Sequence, residues 1–263
     1  DRGALGRAPV LMPMHFEDGF PIIGGNGKVP EVVTVLDTGY QYAAINGSDD
    51  FFYKPDENGQ ITLKNFWEFN HQQMDDFWSV TENPGHLRLH SAKLSPTLFQ
   101  AYNTLTQRTV GPKCAAEVTL RFAHMKNGDV AGISTFIGNY GFIGVKKEKD
   151  QYYLIMMGRP AKDTTVFGQF EYENPGLEYA RVPIYGESIC LRAEADFTDK
   201  RDLSSFYYKE GDNWQKLGID QPMYFKMDLF TGCRFGLFYY STEQTGGYVD
   251  FSKFQFIWPE YVY

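Results

Sequence analysis

The apolar positions of this chain follow two different rhythms. From Asp49 onward they alternate with polar positions at period two over long runs. In CAAEVTLRF, Ala116, Val118, Leu120 and Phe122 fall on one face, with Glu117, Thr119 and Arg121 on the other. In SICLRAEADF, Ile189, Leu191, Ala193, Ala195 and Phe197 alternate with Arg192, Glu194 and Asp196. Successive side chains of a strand point to opposite faces, so each run predicts a strand with one buried face. GHLRLHS, AGISTFIG, GFIGVKKEK, QYYLIMMG, CRFGLFYYS and GYVDFSKFQFIW predict further strands. Turn residues at 83–85, 127–129 and 245–247 punctuate them. In SSFYYKEGDNWQKLG an aromatic strand turns at 210–213, and Trp214 starts the return strand and can cover the hairpin. No segment keeps a helical period over three turns. Thr97 to Thr109 comes nearest, and its β-branched residues suit a strand equally well.

Residues 1–46 read differently. Short apolar patches, PVLMPM and VVTVL, are separated by Gly and Pro. FEDGFPIIGGNGKVP reads as a strand, a glycine-rich turn and a second short extended piece. The chain therefore divides into 1–46 and 47–263. The second region is all-β, an antiparallel β-sandwich or jelly roll of many short-spaced strands.

Composition sharpens this. Phe, Tyr and Trp make up 17% of 263 residues, a weighting toward strand formers. The net charge of -8 gives no electrostatic footprint for nucleic acid. No apolar run approaches the ~18 residues of a membrane helix. Cys114, Cys190 and Cys233 lack the paired spacing of a zinc site, and spacing leaves their disulfide state open. GxSxG and HExxH motifs are missing, and IIGGNGK has the wrong spacing for a phosphate loop.

Two chemistries stay open. Asp49 and Asp50 precede the first strand of the second region, and Asp250 lies in its last. First and last strands are often neighbours, so these carboxylates are candidate ligands of a structural Ca²⁺, against the alternative of solvated turn aspartates. His86 and His90, four apart in a strand-like run, would share a face. Without nearby Cys or carboxylate ligands they read as surface imidazoles. The second chemistry is sugar binding, which needs aromatic platforms flanked by hydrogen-bonding side chains. Trp67, Trp78, Tyr140 and Tyr152 are the candidates, with Tyr153 beside them. For any single one of them, a place in the core is the simpler reading.

The run NFWEFNHQQMDDFWSVTENPGHLRLHS, followed by LFQAYNTLTQRTVGPKC, carries a specific resemblance. Its landmarks are Trp67, Asn70 and His71, then Trp78, Ser79, Thr81 and Glu82, then Leu87, Arg88 and Leu89. Asn103 through Arg108, Gly111 and Pro112 complete it. It resembles the C-terminal domain of family-43 glycoside hydrolases of the β-xylosidase and arabinofuranosidase type, over essentially all of 49–258. The resemblance implies a concanavalin A-like β-sandwich packed against a catalytic five-bladed propeller. LGRAPVLMPMHFEDGFPIIGGNGKVP is similar to the last strands of that propeller, and Arg7 matches an arginine that can reach the sugar. The family's catalytic aspartates and glutamate belong to earlier blades and map onto no residue here. The implied role is a non-catalytic C-terminal module that supports the propeller and binds xylan or arabinoxylan oligosaccharides. Alternatives are a purely structural or homo-oligomerising domain, or part of an active enzyme whose propeller another chain supplies. A secreted, periplasmic or cell-surface location follows from polymeric xylan. The chain departs from the family at Phe20, where tryptophan is usual, and at Glu68–Phe69, where Gln-Trp is common.

Overall fold

The computed structural model describes residues 3–258, apart from 8, 26–27, 160–172 and 224–230. In the opening segment lie β1 (Met14–Glu17) and β2 (Phe20–Ile23). Next come β3 (Glu68–Phe69), β4 (Trp78–Ser79), β5 (Leu87–His90) and β6 (Leu105–Arg108). The long alternating runs form β7 (Lys113–Arg121), β8 (Asp129–Phe136), β9 (Gly141–Glu148), β10 (Gln151–Gly158), β11 (Leu177–Ile184) and β12 (Ser188–Asp196). The chain continues through β13 (Leu203–Glu210), β14 (Asn213–Lys216), β15 (Gln221–Pro222), β16 (Arg234–Ser241) and β17 (Tyr248–Ile257). Thr97–Thr109 is a 3-10 turn at Leu98–Gln100 followed by β6.

Two antiparallel sheets result. The first runs β11-β10-β9-β8-β16-β6-β3, and the second β14-β13-β12-β7-β17-β5-β4 with β15 attached to β13. The faces read from alternation are the buried ones. Ala116, Val118, Leu120, Leu191 and Ala193 of the second sheet meet Ile133, Ile143, Val145, Leu154 and Leu237 of the first, all without exposed surface. Burial of this apolar area is the main force holding the layers together.

The first sheet is covered on its other face as well. Val130, Phe142, Ile155, Phe238 and Tyr240 pack there with Leu98, Phe99 and Tyr140. That second layer explains why YYLIMM and FGLFYY are continuous apolar runs: a strand buried on both faces has no polar side. All eight residues of β8 are buried.

The opening segment splits in two. Residues 3–6 dock onto the sandwich. Ala4 is fully buried, its amide donates to Asp202 Oδ2 (3.0 Å), and its carbonyl accepts from the Cys233 amide (2.8 Å). Gly6 has φ +100°, and a Cβ there would sit 3.0 Å from Gly232 Cα, so only glycine allows this approach. The described residues from 9 to 45 then lie mostly exposed, Gly24 excepted, with β1 and β2 paired to each other. The chain rejoins the sandwich at Gly47, whose amide and carbonyl are both held by the Gln107 side chain (2.7 and 3.1 Å).

Candidate functional site

Asp49 lies where the chain enters the sandwich. Its backbone pairs with Phe254 of β17 in both directions at 2.9 Å, so the first and last segments are indeed neighbours. Its carboxylate is buried and fully engaged. Oδ1 accepts from the Phe51 amide and from Lys64 Nζ, both at 3.0 Å. Oδ2 accepts from Trp67 Nε1 at 2.8 Å and from the Tyr53 hydroxyl. Burial, then the bond to Asp49, pushes the Tyr53 phenol well above its usual range. Trp67 is therefore a core residue. Its ring packs between Phe51 (6.0 Å), Phe66 (5.7 Å) and Phe254 (4.8 Å), which leaves no face for a sugar.

The other proposed platforms are similarly occupied. Tyr140 has no exposed surface; its hydroxyl donates to the Pro175 carbonyl (3.1 Å), and burial pushes its pKa up to about 12. Tyr152 is half-buried against Phe122, its hydroxyl donates to the Ala123 carbonyl, and Lys147 Nζ lies 5.0 Å over its ring. Trp78 is half-buried against Phe69 (5.2 Å), and its indole N–H faces Asp75 at 3.4 Å. Phe69 is on β3 and Trp78 on β4, the end strands of the two sheets, so this pair staples their edges together. Arg7 is exposed, directly after the docked residues.

Asp250 belongs to a different cluster. Arg88 grips it in a fork, Nε to Oδ1 at 2.7 Å and Nη2 to Oδ2 at 2.8 Å, and Asn83 adds a bond of 2.9 Å. Burial of the Asp250 carboxyl works against ionisation, but Arg88 and Asn83 outweigh it and hold its pKa below the usual range. Arg88 also meets Glu82 (3.3 Å) and lies 4.2 Å over the Tyr248 ring, against whose plane His124 stacks. His90 joins through Glu82, whereas His86 sits in the preceding turn, so the two do not share a strand.

The candidate calcium ligands stand in separate clusters: the Asp49 carboxylate is engaged by Phe51, Lys64, Trp67 and Tyr53, and that of Asp250 by Arg88 and Asn83. Asp50 is exposed and accepts from its own turn at the Phe52 amide. Among the described residues no cluster of three or more His, Cys, Asp or Glu could hold a metal ion. Nor is any described helix long and apolar enough to cross a membrane.

Among the described residues a concave surface lies open beside β12 and β13. β12 pairs with β7 back to Ser188, but with β13 only from the Leu191–Tyr208 pair onward. β13 meanwhile continues to Glu210, paired with β14. The two strands splay, and a groove of ≈ 660 Å³ opens between Ser188–Cys190 and Tyr208–Gly211. Val182–Tyr185 of β11 and its following turn, together with Thr119, complete the lining. Sequence reasoning missed this site. Its one visible sign is Tyr185, a tyrosine in the polar turn YGES, which stands 83% exposed.

Comparison with known proteins fits this architecture. A solved structure of a bifunctional GH43-CE protein of Bacteroides eggerthii is 36% identical, with a TM-score of 0.79 over 97% of this chain and 31% of that one. A beta-xylosidase of Formosa agariphila is 26% identical over 95% of this chain and 43% of its own length. A xylosidase/arabinosidase of Butyrivibrio fibrisolvens is also 26% identical, over 95% and 46%. The chain thus spans less than half the length of each of these proteins. Residues 56–257 match the model of the beta xylosidase C-terminal concanavalin A-like domain, and the chain belongs to that family.

Proposed function

We propose that this chain is the non-catalytic C-terminal module of a xylan-degrading glycoside hydrolase, and that its opening segment closes against the catalytic propeller. The exposed arm carries this reading. Val32, Leu36 and Tyr42 are 83%, 87% and 86% exposed, and Val10, Phe16, Phe20 and Tyr40 stand out beside them. Apolar rows of this size in water mark an interface. Because residues 3–6 are fixed on the sandwich, the surface that the arm completes lies beside it. Arg7, at the root of the arm, is the residue this reading brings nearest the sugar. The names of the relatives support a xylosidase or arabinosidase as the parent; action on polymeric xylan, which lies outside the cell, would place it outside the cytoplasm.

The isolated chain is expected to turn over neither aryl β-xyloside nor aryl α-L-arabinofuranoside, and measurable hydrolysis would refute a non-catalytic role. Hydrogen exchange tests the arm. Amides of 31–45 should exchange freely here and about a hundredfold more slowly when a family-43 propeller is joined upstream. Equal exchange in the two proteins would remove the proposed interface.

A further inference from the structure

We infer that Cys114 and Cys233 form a disulfide that ties the two sheets together, closed when the chain folds under oxidising conditions and open in the reduced form described here. The pairing follows from how the chain crosses between the layers. β6 ends at Arg108 in the first sheet and β7 begins at Lys113 in the second, so residues 109–112 span the gap. Cys233 lies at the start of that crossing. Arg234 is the register partner of Arg108, and one step on the Cys233 carbonyl accepts from the Thr109 amide (3.4 Å) and the Thr109 hydroxyl (2.8 Å). Cys114 lies at its end and reaches back, its Sγ accepting from the Val110 amide at 3.3 Å. Two cysteines far apart in sequence thus converge on adjacent peptide units, one on β7 of the second sheet and one just before β16 of the first.

Both cysteines face the interior. Cys114 alternates in step with Ala116, Val118 and Leu120, and it shares one core cluster with Cys233. Burial pushes both thiols up, and the Cys114 charge is the next cause at Cys233, so the two sulfurs lie within electrostatic reach of each other. Neither is poised as a thiolate, which suits a structural bridge rather than a nucleophile. Cys190 suits neither as a partner. It pairs with Thr119 and lines the outer groove, on the opposite side of β12 from the buried Leu191. The bridge would close a loop of roughly 120 residues, a large restraint on the unfolded chain. It would also brace the docked opening segment, because the Cys233 amide donates to the Ala4 carbonyl (2.8 Å). The pairing rests on this geometry. Its setting outside the cytoplasm, where disulfides persist, rests on the module reading above.

Closure is a thiol–disulfide exchange with a small disulfide such as glutathione disulfide. Each cysteine gives up one proton and one electron, the S–S bond forms, and the glutathione disulfide is reduced to two molecules of glutathione. The experiment refolds the 263-residue chain from denaturant in a glutathione and glutathione disulfide buffer, and in parallel under reductant. Free thiols are then alkylated in denaturant and located by intact mass and peptide mapping. The reduced chain should carry a label on all three cysteines. The oxidised chain should carry none on Cys114 or Cys233, and their peptides should map as one cross-linked pair lighter by two hydrogen atoms. Its thermal midpoint should lie about 5–10 °C above that of the reduced chain. In Cys114→Ala that difference should vanish and Cys233 should take up label. An oxidised, natively folded chain with Cys114 and Cys233 still labelled would overturn the inference, as would a bridge from either to Cys190. A bridge confined to chains that have lost the native near-ultraviolet circular dichroism would overturn it too. Should Cys114→Ala fail to fold, the peptide map of the parent chain decides alone. The module reading fails on separate measurements, turnover by the isolated chain or equal exchange of the arm in the joined enzyme.

Discussion

Replacing Asp49 with asparagine should be among the most destabilising conservative changes in this protein. The carboxylate serves four donors, and three of them, the Trp67 indole N–H, the Phe51 amide and the Lys64 ammonium, can only donate. An asparagine keeps one acceptor oxygen and puts an NH₂ where the other stood. Whichever way the amide turns, it confronts one of those donors and leaves it buried without a partner, at about 1–3 kcal/mol. Loss of charge assistance at the remaining bonds adds about 1 kcal/mol or more. Lys64 contributes little, because its side chain is 44% exposed and rehydrates. The total is about 3 kcal/mol, equivalent to a fall in Tm of about 6–12 °C for a domain of this size. Urea denaturation of D49N, W67F and the double variant measures it. W67F should cost less, and the double variant should cost clearly less than the two singles together, because both remove the same bond. A D49N variant within about 0.5 kcal/mol of the parent, or singles that add within that margin, would refute the reasoning. Millimolar calcium or a chelator should leave the parent's midpoint unchanged. A calcium ion at a hundred times its Kd would raise stability by about 2.7 kcal/mol, which the same curves would show.

Three further outcomes follow from the packing. One thiol per native chain, Cys190, should react with a maleimide and all three in denaturant: Cys114 and Cys233 are 3% exposed, and burial pushes the Cys114 thiol up to about 12. Acid unfolding should report Glu148, whose pKa is lowered to about 2, first by Arg181 and then by Lys146. The folded value lies below the unfolded one of about 4.3. This contribution is therefore present above pH ~4.3 and lost as pH falls toward ~2. E148Q should flatten that part of the stability–pH curve, and an unchanged slope would count against the ion pair. Gly132→Ala should cost about 1–3 kcal/mol by overpacking. A Cβ there would lie 2.1 Å from the Ile143 carbonyl oxygen of the facing strand, and a variant as stable as the parent would show that the two strands can part.

Much of the fold was legible because alternation reports which face is buried. β7 and β12 bury the residues that their patterns assign to one side, except Ile189, which is half-buried at the splayed end of β12. β11 was not legible. As the end strand of its sheet it leaves most of LEYARVPI half-exposed or exposed, and Pro183, Arg181 and Glu178 give it no apolar row. The aromatic candidates misled for a related reason. Composition counts rings but says nothing about whether a second layer covers them, and here Tyr140 sits beneath that layer. The bond from Trp67 to Asp49 joins residues eighteen apart through irregular chain, where no periodicity operates. The groove depends on where two strands stop pairing, a property of register that pattern reading does not reach.

The order of strands in the two sheets also sets when this protein can fold. β16 and β17, the last of the described strands, lie in the interior of their sheets. β6 and β3 join the first sheet through β16, and β5 and β4 join the second through β17. On the ribosome, β6 must wait roughly 125 residues for its partner, about 6–25 s at ordinary rates of synthesis. Until β16 and β17 emerge, the β3–β6 and β4–β5 pairs lack the strands that join them to their sheets.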